Sequence, residues 1–134
     1  MDLRIASVFS GVGGIDLGFE QHGFKTVFAT DYWSVACNSI QLNFPESEVI
    51  CDDIANIDFK KIKNKQGGID GLVGGPPCPP FSKSRFYIKE KKRGIDDIDG
   101  YTSIINYFRA LEELDPKFFF FENVQGFVFK PHKS

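Results

Sequence analysis

Residues 3–31, LRIASVFSGVGGIDLGFEQHGFKTVFATD, decide the fold. Leu3 to Phe9 is a short apolar run rich in β-formers, a strand candidate. It breaks into Ser10-Gly11-Val12-Gly13-Gly14, a loop composition that neither helix nor strand favours. Ile15, Leu17, Phe19 and the residues after them read as a short helix that stops at Gly23, a helix-ending residue type. Val27 to Thr30 is a second strand, and Asp31 ends it.

The same alternation runs outward along the chain. Trp33, Ala36, Cys37, Ile40 and Phe44 recur at helical spacing, with Pro45 at the end; Trp33 and Cys37 are read as packing residues. Val49-Ile50-Cys51 is a third strand, and Gly71-Leu72-Val73 a fourth that runs into Gly74-Gly75-Pro76-Pro77. Tyr101 to Leu114 carries Ile104, Ile105, Phe108 and Leu111 on one helical face and closes at Asp115-Pro116. Phe118 to Phe121 is an unbroken apolar run, the pattern of a strand covered on both faces. Alternating strands and helices predict an α/β, doubly wound, mainly parallel sheet of at least five strands. Ligands of such sheets sit beyond the carboxyl ends of the strands. The glycine loop, Asp31, Asp52-Asp53, the Pro-Pro-Cys segment and Glu122-Asn123 each follow a strand directly, so they converge on one edge.

Composition narrows the classes. At 134 residues the chain is one domain's worth of polypeptide, and 42% hydrophobic with 25% charged residues excludes a disordered or low-complexity chain. No apolar run approaches the ~20 residues of a membrane helix, and the start MDLRIASVF lacks a signal peptide's pattern. Cys37, Cys51 and Cys78 are odd in number and widely spaced, which suggests neither a disulfide framework nor a metal site. A reducing, cytoplasmic location is therefore the expectation. A net charge of −2 does not by itself suggest nucleic acid. However, Lys83, Arg85, Lys89, Lys91, Lys92 and Arg93 form a basic stretch interleaved with Phe86 and Tyr87. It is either a solvated loop or a contact for phosphates and bases.

Each candidate site residue has a plain reading beside the functional one. The glycine loop is not G-x-G-x-x-G, because Asp16 stands at the third glycine; it is a tight turn or a loop that lets a cofactor approach the backbone. Asp31 caps a helix or accepts hydrogen bonds from ribose hydroxyls, and Asp53 shares that ambiguity. Cys78, in GGPPCPPF, is core filling or a thiolate held in a stiff frame. Glu122 is an exposed strand end, or an acid raised by apolar surroundings and suited to donate a proton.

Taken in order and spacing, FSGVGGIDLGFE, the acid of ATDYW, the DI of CDDI, GGPPCPPFS and FFFFENVQG resemble the motifs of the cytosine-5 DNA methyltransferase family. The resemblance runs from about Leu3 to Phe127. It implies the fold of S-adenosylmethionine-dependent methyltransferases, with S-adenosylmethionine as cofactor. Phe9, Ser10, Gly11 and Gly13 match the loop around its amino-acid part. Asp31 matches the ribose acid, usually Glu in the family. Tyr32 matches the residue on the adenine face, and Asp53 with Ile54 the adenine edge. Pro77 and Cys78 match the Pro-Cys pair, with Cys78 the nucleophile. Glu122 and Asn123 match the Glu-Asn pair.

The basic segment falls where the family carries a loop that closes on DNA, so Ser82, Lys83 and Arg85 are expected at nucleic acid. The family's Gln after the cysteine is Pro79 here, its Gly before the DI pair is Asp52, and Asp99 and Thr102 replace a common Arg and Leu. The family's later motifs and target-recognition region have no counterpart. Residues 1–134 are thus expected to be the N-terminal part of a methyltransferase catalytic domain. The implied partners are duplex DNA and a second polypeptide supplying the missing motifs, with no membrane and no metal. The competing readings are an RNA (tRNA) cytosine-5 methyltransferase, an inactive cofactor- or partner-binding module and, more distantly, a nicotinamide oxidoreductase.

Overall fold

A computed structural model of the chain describes residues 3–11, 13–76 and 98–122, without the side chains of residues 98–101. Five strands form one sheet: β1 Leu3–Val8, β2 Phe24–Asp31, β3 Glu48–Cys51, β4 Gly71–Gly74 and β5 Phe118–Phe121. Their order is β3-β2-β1-β4-β5, and every neighbouring pair is parallel. The helices are α1 Gly14–Glu20, α2 Ser34–Asn43, α3 Phe59–Gln66 and α4 Ile98–Leu114, with a short 3-10 turn at Ile54–Asn56. The chain winds outward from β1 in both directions, so the topological switch lies between β1 and β4.

Neighbouring residues on a strand face opposite sides, and β2 shows the consequence for the core. Phe28 packs with Ala6, Val8, Phe59, Ile62, Leu72, Tyr107 and Leu114 against α3 and α4. Ala29, the next residue, packs with Ile40 and Phe44 of the α2 side. Helices therefore cover both faces, as a parallel sheet requires. Phe28 and Phe59 meet edge to face at 6.5 Å, and both are fully buried. Burial of each such ring contributes about 1.5–3 kcal/mol. The register slips between Ile5 and Ala6, which pair with Thr26 and Phe28 and leave Val27 as the extra residue.

The structure departs from the sequence expectations in four places. Helix α3 and the 3-10 turn fill a stretch where the sequence suggested no element. In α3 only Phe59 and Ile62 are buried, and the helix is held by its ends: the Asp58 carboxylate accepts the Lys61 N–H, and Gly67 closes it in the left-handed conformation. The inward face of α4 is Ile104, Tyr107, Ala110 and Leu114, whereas Ile105 and Phe108 are about half exposed. Trp33 is 53% exposed and so is not a packing residue, while Cys37 is buried. The Phe run is an edge strand among the described residues, with Phe119 58% and Phe120 44% exposed rather than covered on both faces.

Candidate functional site

Because the five strands are parallel, their carboxyl ends share one edge, and the chain leaves each of them there. At the end of β1 the backbone turns through left-handed conformations at Phe9 (φ 52°), Gly11 (57°) and Gly13 (91°). A side chain at Gly13 would be strained and would also meet the Phe44 ring at 2.9 Å. The Ser10 N–H donates to the Thr30 carbonyl at 3.2 Å, and the Ser10 and Ser7 hydroxyls share a hydrogen bond of 2.8 Å. These contacts tie the loop to β1 and β2.

Asp31 joins the loop to the next strand end. Its Oδ2 accepts the Gly11 N–H at 2.8 Å and its Oδ1 the Trp33 N–H at 3.0 Å. The carboxylate steadies the start of α2, yet it can accept about four hydrogen bonds, and two are used by the backbone. Tyr32 follows with 75% of its surface exposed. Beside it, the Asp52 N–H donates to the Asp31 carbonyl at 3.0 Å, which links the β2 and β3 ends. Asp53 is exposed and accepts the Ala55 N–H at 2.9 Å, capping the 3-10 turn.

Arg109 is a residue that sequence reasoning missed. From α4 its guanidinium donates to the carbonyls of Ile54 at 2.7 Å and Ile57 at 2.8 Å, while lying 4.9 Å from the centre of the Phe59 ring. Nothing in the sequence signals this, because the partners are 52 and 55 residues away.

On the other side of β1, the Glu122 N–H donates to the Gly74 carbonyl at 3.0 Å and extends the β4–β5 ladder. A Cβ added at Gly75 would sit 2.6 Å from Glu122 Oε2. The carboxyl group therefore lies against the backbone of Gly75, three residues before Cys78 in the chain. The described residues leave Glu122 exposed rather than enclosed by apolar side chains.

The edge thus holds Phe9, Ser10, Gly11, Gly13, Asp31, Tyr32, Asp53 and Ile54 over β1, β2 and β3, and Glu122 at the end of β5. Pro77, Cys78, Ser82, Lys83, Arg85 and Asn123 lie outside the described residues. Among the described residues no group of His, Cys, Asp or Glu could hold a metal ion, and no helix is long and apolar enough to cross a membrane.

Two features lie behind the edge. Asp16 in α1 is fully buried, and neither carboxyl oxygen has a hydrogen-bond partner among the described residues. Burial pushes its pKa up to about 6; the nearby Ser7 hydroxyl opposes the rise and Glu20 adds to it. An apolar groove of about 390 Å³ runs along α1, lined by Ile15, Phe19, His22, Phe24, Phe120 and the α1 glycines.

Residues 3–134 match the family of C-5 cytosine-specific DNA methylases. The chain is 35% identical to the Type II methyltransferase M.SacI of Streptomyces achromogenes, over 99% of this chain and 38% of that one. It is 40% identical to the Type II methyltransferase M.PspPI of a Psychrobacter species, over 91% of this chain and 27% of that one. Among solved structures, a prophage-encoded protein of E. coli described as a DNA modification methyltransferase superposes with a TM-score of 0.77. Its identity is 31%, over 96% of this chain and 34% of that one. The chain therefore spans about a quarter to two fifths of the length of these relatives.

Proposed function

Because the chain belongs to the C-5 cytosine-specific DNA methylase family, we propose that it forms the donor-binding and nucleophile-bearing part of an enzyme that methylates carbon 5 of cytosine in duplex DNA. The observation that carries the reading is the seating of Glu122 against Gly75. Glu122, which matches the family's acid by motif, lies beside the strand end that leads into the Pro-Cys segment, and this supports the reading.

The edge over β1, β2 and β3 suits S-adenosylmethionine by the chemistry of its donors. Nothing lies within 4 Å of a Cβ built on Gly11, so a ligand can approach that backbone. Asp31 keeps acceptor capacity for ribose hydroxyls, Tyr32 offers an open ring for adenine, and Asp53 with Ile54 borders the same end. Phe9, Ser10 and Gly13 would shape the wall for the amino-acid part, and Pro77 is assigned to the same pocket by its motif alone. When bound, this cofactor supplies an electrophilic methyl group.

The chain's residues would then do the following work. Carbon 5 of cytosine is a weak nucleophile. The Cys78 thiolate adds to carbon 6, and the displaced electron pair makes carbon 5 nucleophilic. Glu122, hydrogen-bonded at ring nitrogen 3, stabilises the charge that develops, with Asn123 positioning that segment. Once carbon 5 has taken the methyl group, with S-adenosylhomocysteine as the leaving group, its proton would pass to water acting as base, the Cys78 thiolate would depart and the aromatic ring would be restored. A base within a duplex cannot be reached, so it must be flipped out. Ser82, Lys83 and Arg85 would contact the phosphates around it, an attraction that weakens with salt.

The test is a trapping experiment. The chain, supplied with the remaining catalytic-domain residues of a relative, is incubated with S-adenosylmethionine and DNA carrying 5-fluorocytosine, whose fluorine blocks the final elimination once carbon 5 is methylated. A covalent adduct that disappears in Cys78→Ala supports the reading. An adduct that forms equally well with Cys78→Ala overturns it.

A further inference from the structure

Two cysteines that look unrelated in sequence meet at the end of β2. Cys37 lies in α2 and is buried, and its Sγ–H donates to the Asp31 carbonyl at 3.3 Å. Cys51 ends β3 and is exposed, pairs in register with Asp31, and its Sγ–H donates to the Tyr32 carbonyl at 3.8 Å. The two thiols thus hang on consecutive carbonyls of one strand end. They are also close enough to influence each other. Burial pushes the Cys37 thiol up to about 12, and the Cys51 thiol beside it adds to the rise.

We infer that Cys37 and Cys51 are a modification site, a dithiol that closes reversibly into an intramolecular disulfide when it meets a small-molecule disulfide. The exposed Cys51 reacts first, because attack requires both thiolate and access. Its thiolate attacks one sulfur of the small disulfide and expels a thiolate, leaving a mixed disulfide on Cys51. Cys37 then loses its proton and attacks the Cys51 sulfur, expelling the second small thiolate. Two protein thiols are oxidised by two electrons, one small disulfide is reduced to two thiols, and the protons released from the protein are taken up by the departing thiolates. The buried Cys37, a poor initiator, needs only to resolve a disulfide already held against it.

Closing requires the sulfurs to approach to ~2.05 Å, so both give up their carbonyl partners. The Asp31 and Tyr32 carbonyls each lose a thiol donor, next to Trp33 at the start of α2, while the Asp31 carbonyl keeps the Asp52 N–H. Closure therefore shifts this strand end. Neither the pairing nor the shift depends on what binds there.

Peptide mapping tests the pairing directly. The reduced 134-residue chain is incubated with oxidised glutathione, quenched in acid, alkylated and digested. The expected product is a peptide linking Cys37 to Cys51, reversed by dithiothreitol, with Cys78 recovered unlinked. Cys37→Ala should stop at the glutathione adduct of Cys51. Recovery of wild-type Cys51 as the glutathione adduct with Cys37 free, or linked to Cys78, overturns the inference. Trp33 is the chain's single tryptophan and reports the shift. Its emission should change on oxidation of the wild type but not of Cys37→Ala, and a linked product with unchanged emission refutes the displacement.

Discussion

Asp16 carries a carboxyl group that has left water without gaining a hydrogen-bond partner among the described residues. Its pKa rises from 3.8 to about 6, chiefly through burial. The folded chain therefore holds a proton that the unfolded chain releases. Stability from this group falls as pH rises from about 4 through 6, by about 3 kcal/mol in total, and the loss is complete above that window. Asp16→Asn removes the ionisation. Urea unfolding should show the variant gaining on the wild type by up to about 3 kcal/mol between pH 4 and pH 7.5. A difference that stays constant across that range would contradict the assignment.

Gly75 gives a second test at the same scale. Its added Cβ would push only against the mobile end of Glu122. Gly75→Ala should leave the unfolding midpoint nearly unchanged while lowering adduct formation on 5-fluorocytosine DNA tenfold or more, on the order of effects seen when a stabilising group is displaced. An equal loss in Glu122→Gln would place both effects in one carboxyl group. Unchanged adduct formation in Gly75→Ala would show that the carboxyl position does not matter.

At the scale of elements, Arg109 fastens α4 to the turn that carries Ile54. Two charged-donor hydrogen bonds to backbone carbonyls and the stacking on Phe59 all end with Arg109→Ala. The expected cost is about 2–5 kcal/mol, because two charged-donor hydrogen bonds are lost and the Ile57 carbonyl loses its partner, while the Ile54 carbonyl keeps the Ile57 N–H. The Asp53–Ile54 turn should loosen with it. Hydrogen exchange at residues 54–57 checks this: faster exchange is expected there, and global destabilisation without local change would refute the role.

The contrast with the glycine loop explains what could be read from sequence. The β1–loop–α1–β2 unit is written in local signals: an apolar run, glycines where φ turns positive, and an acid one strand away. The Gly75–Glu122 pairing was foreshadowed because both residues end strands of a parallel sheet. Arg109, the Cys37–Cys51 meeting and the orphaned Asp16 depend on contacts between distant segments, which no local pattern encodes. Helix α3 was missed because its two buried residues leave no periodic stripe. The exposure of Phe119 and Phe120 was misread because apolar composition records what a strand can bury, not what lies beside it.

At the scale of the whole molecule, β5 is the edge of the described sheet and carries exposed aromatic side chains beside the α1 groove. Open apolar edges promote association. Sedimentation of the 134-residue chain should show concentration-dependent self-association, reduced in Phe120→Lys; a strictly monomeric wild type would contradict this. The relatives are more than twice as long as the aligned part of this chain. The isolated chain is therefore expected to bind the methyl donor weakly and to leave DNA unmethylated, and sequence-specific turnover by these 134 residues would overturn that expectation.

The central claim is that the ends of β1, β2 and β3 form a methyl-donor site organised by Asp31. Calorimetric titration of the reduced chain with S-adenosylhomocysteine, the demethylated product, measures it most directly. The predicted result is weak but saturable binding. Asp31→Ala should lower it by about 10- to 100-fold, the range for lost hydrogen bonds to a charged acceptor. Nicotinamide dinucleotide should give no heat of binding. Binding of the dinucleotide without the nucleoside product, or product binding untouched by Asp31→Ala, would contradict the account.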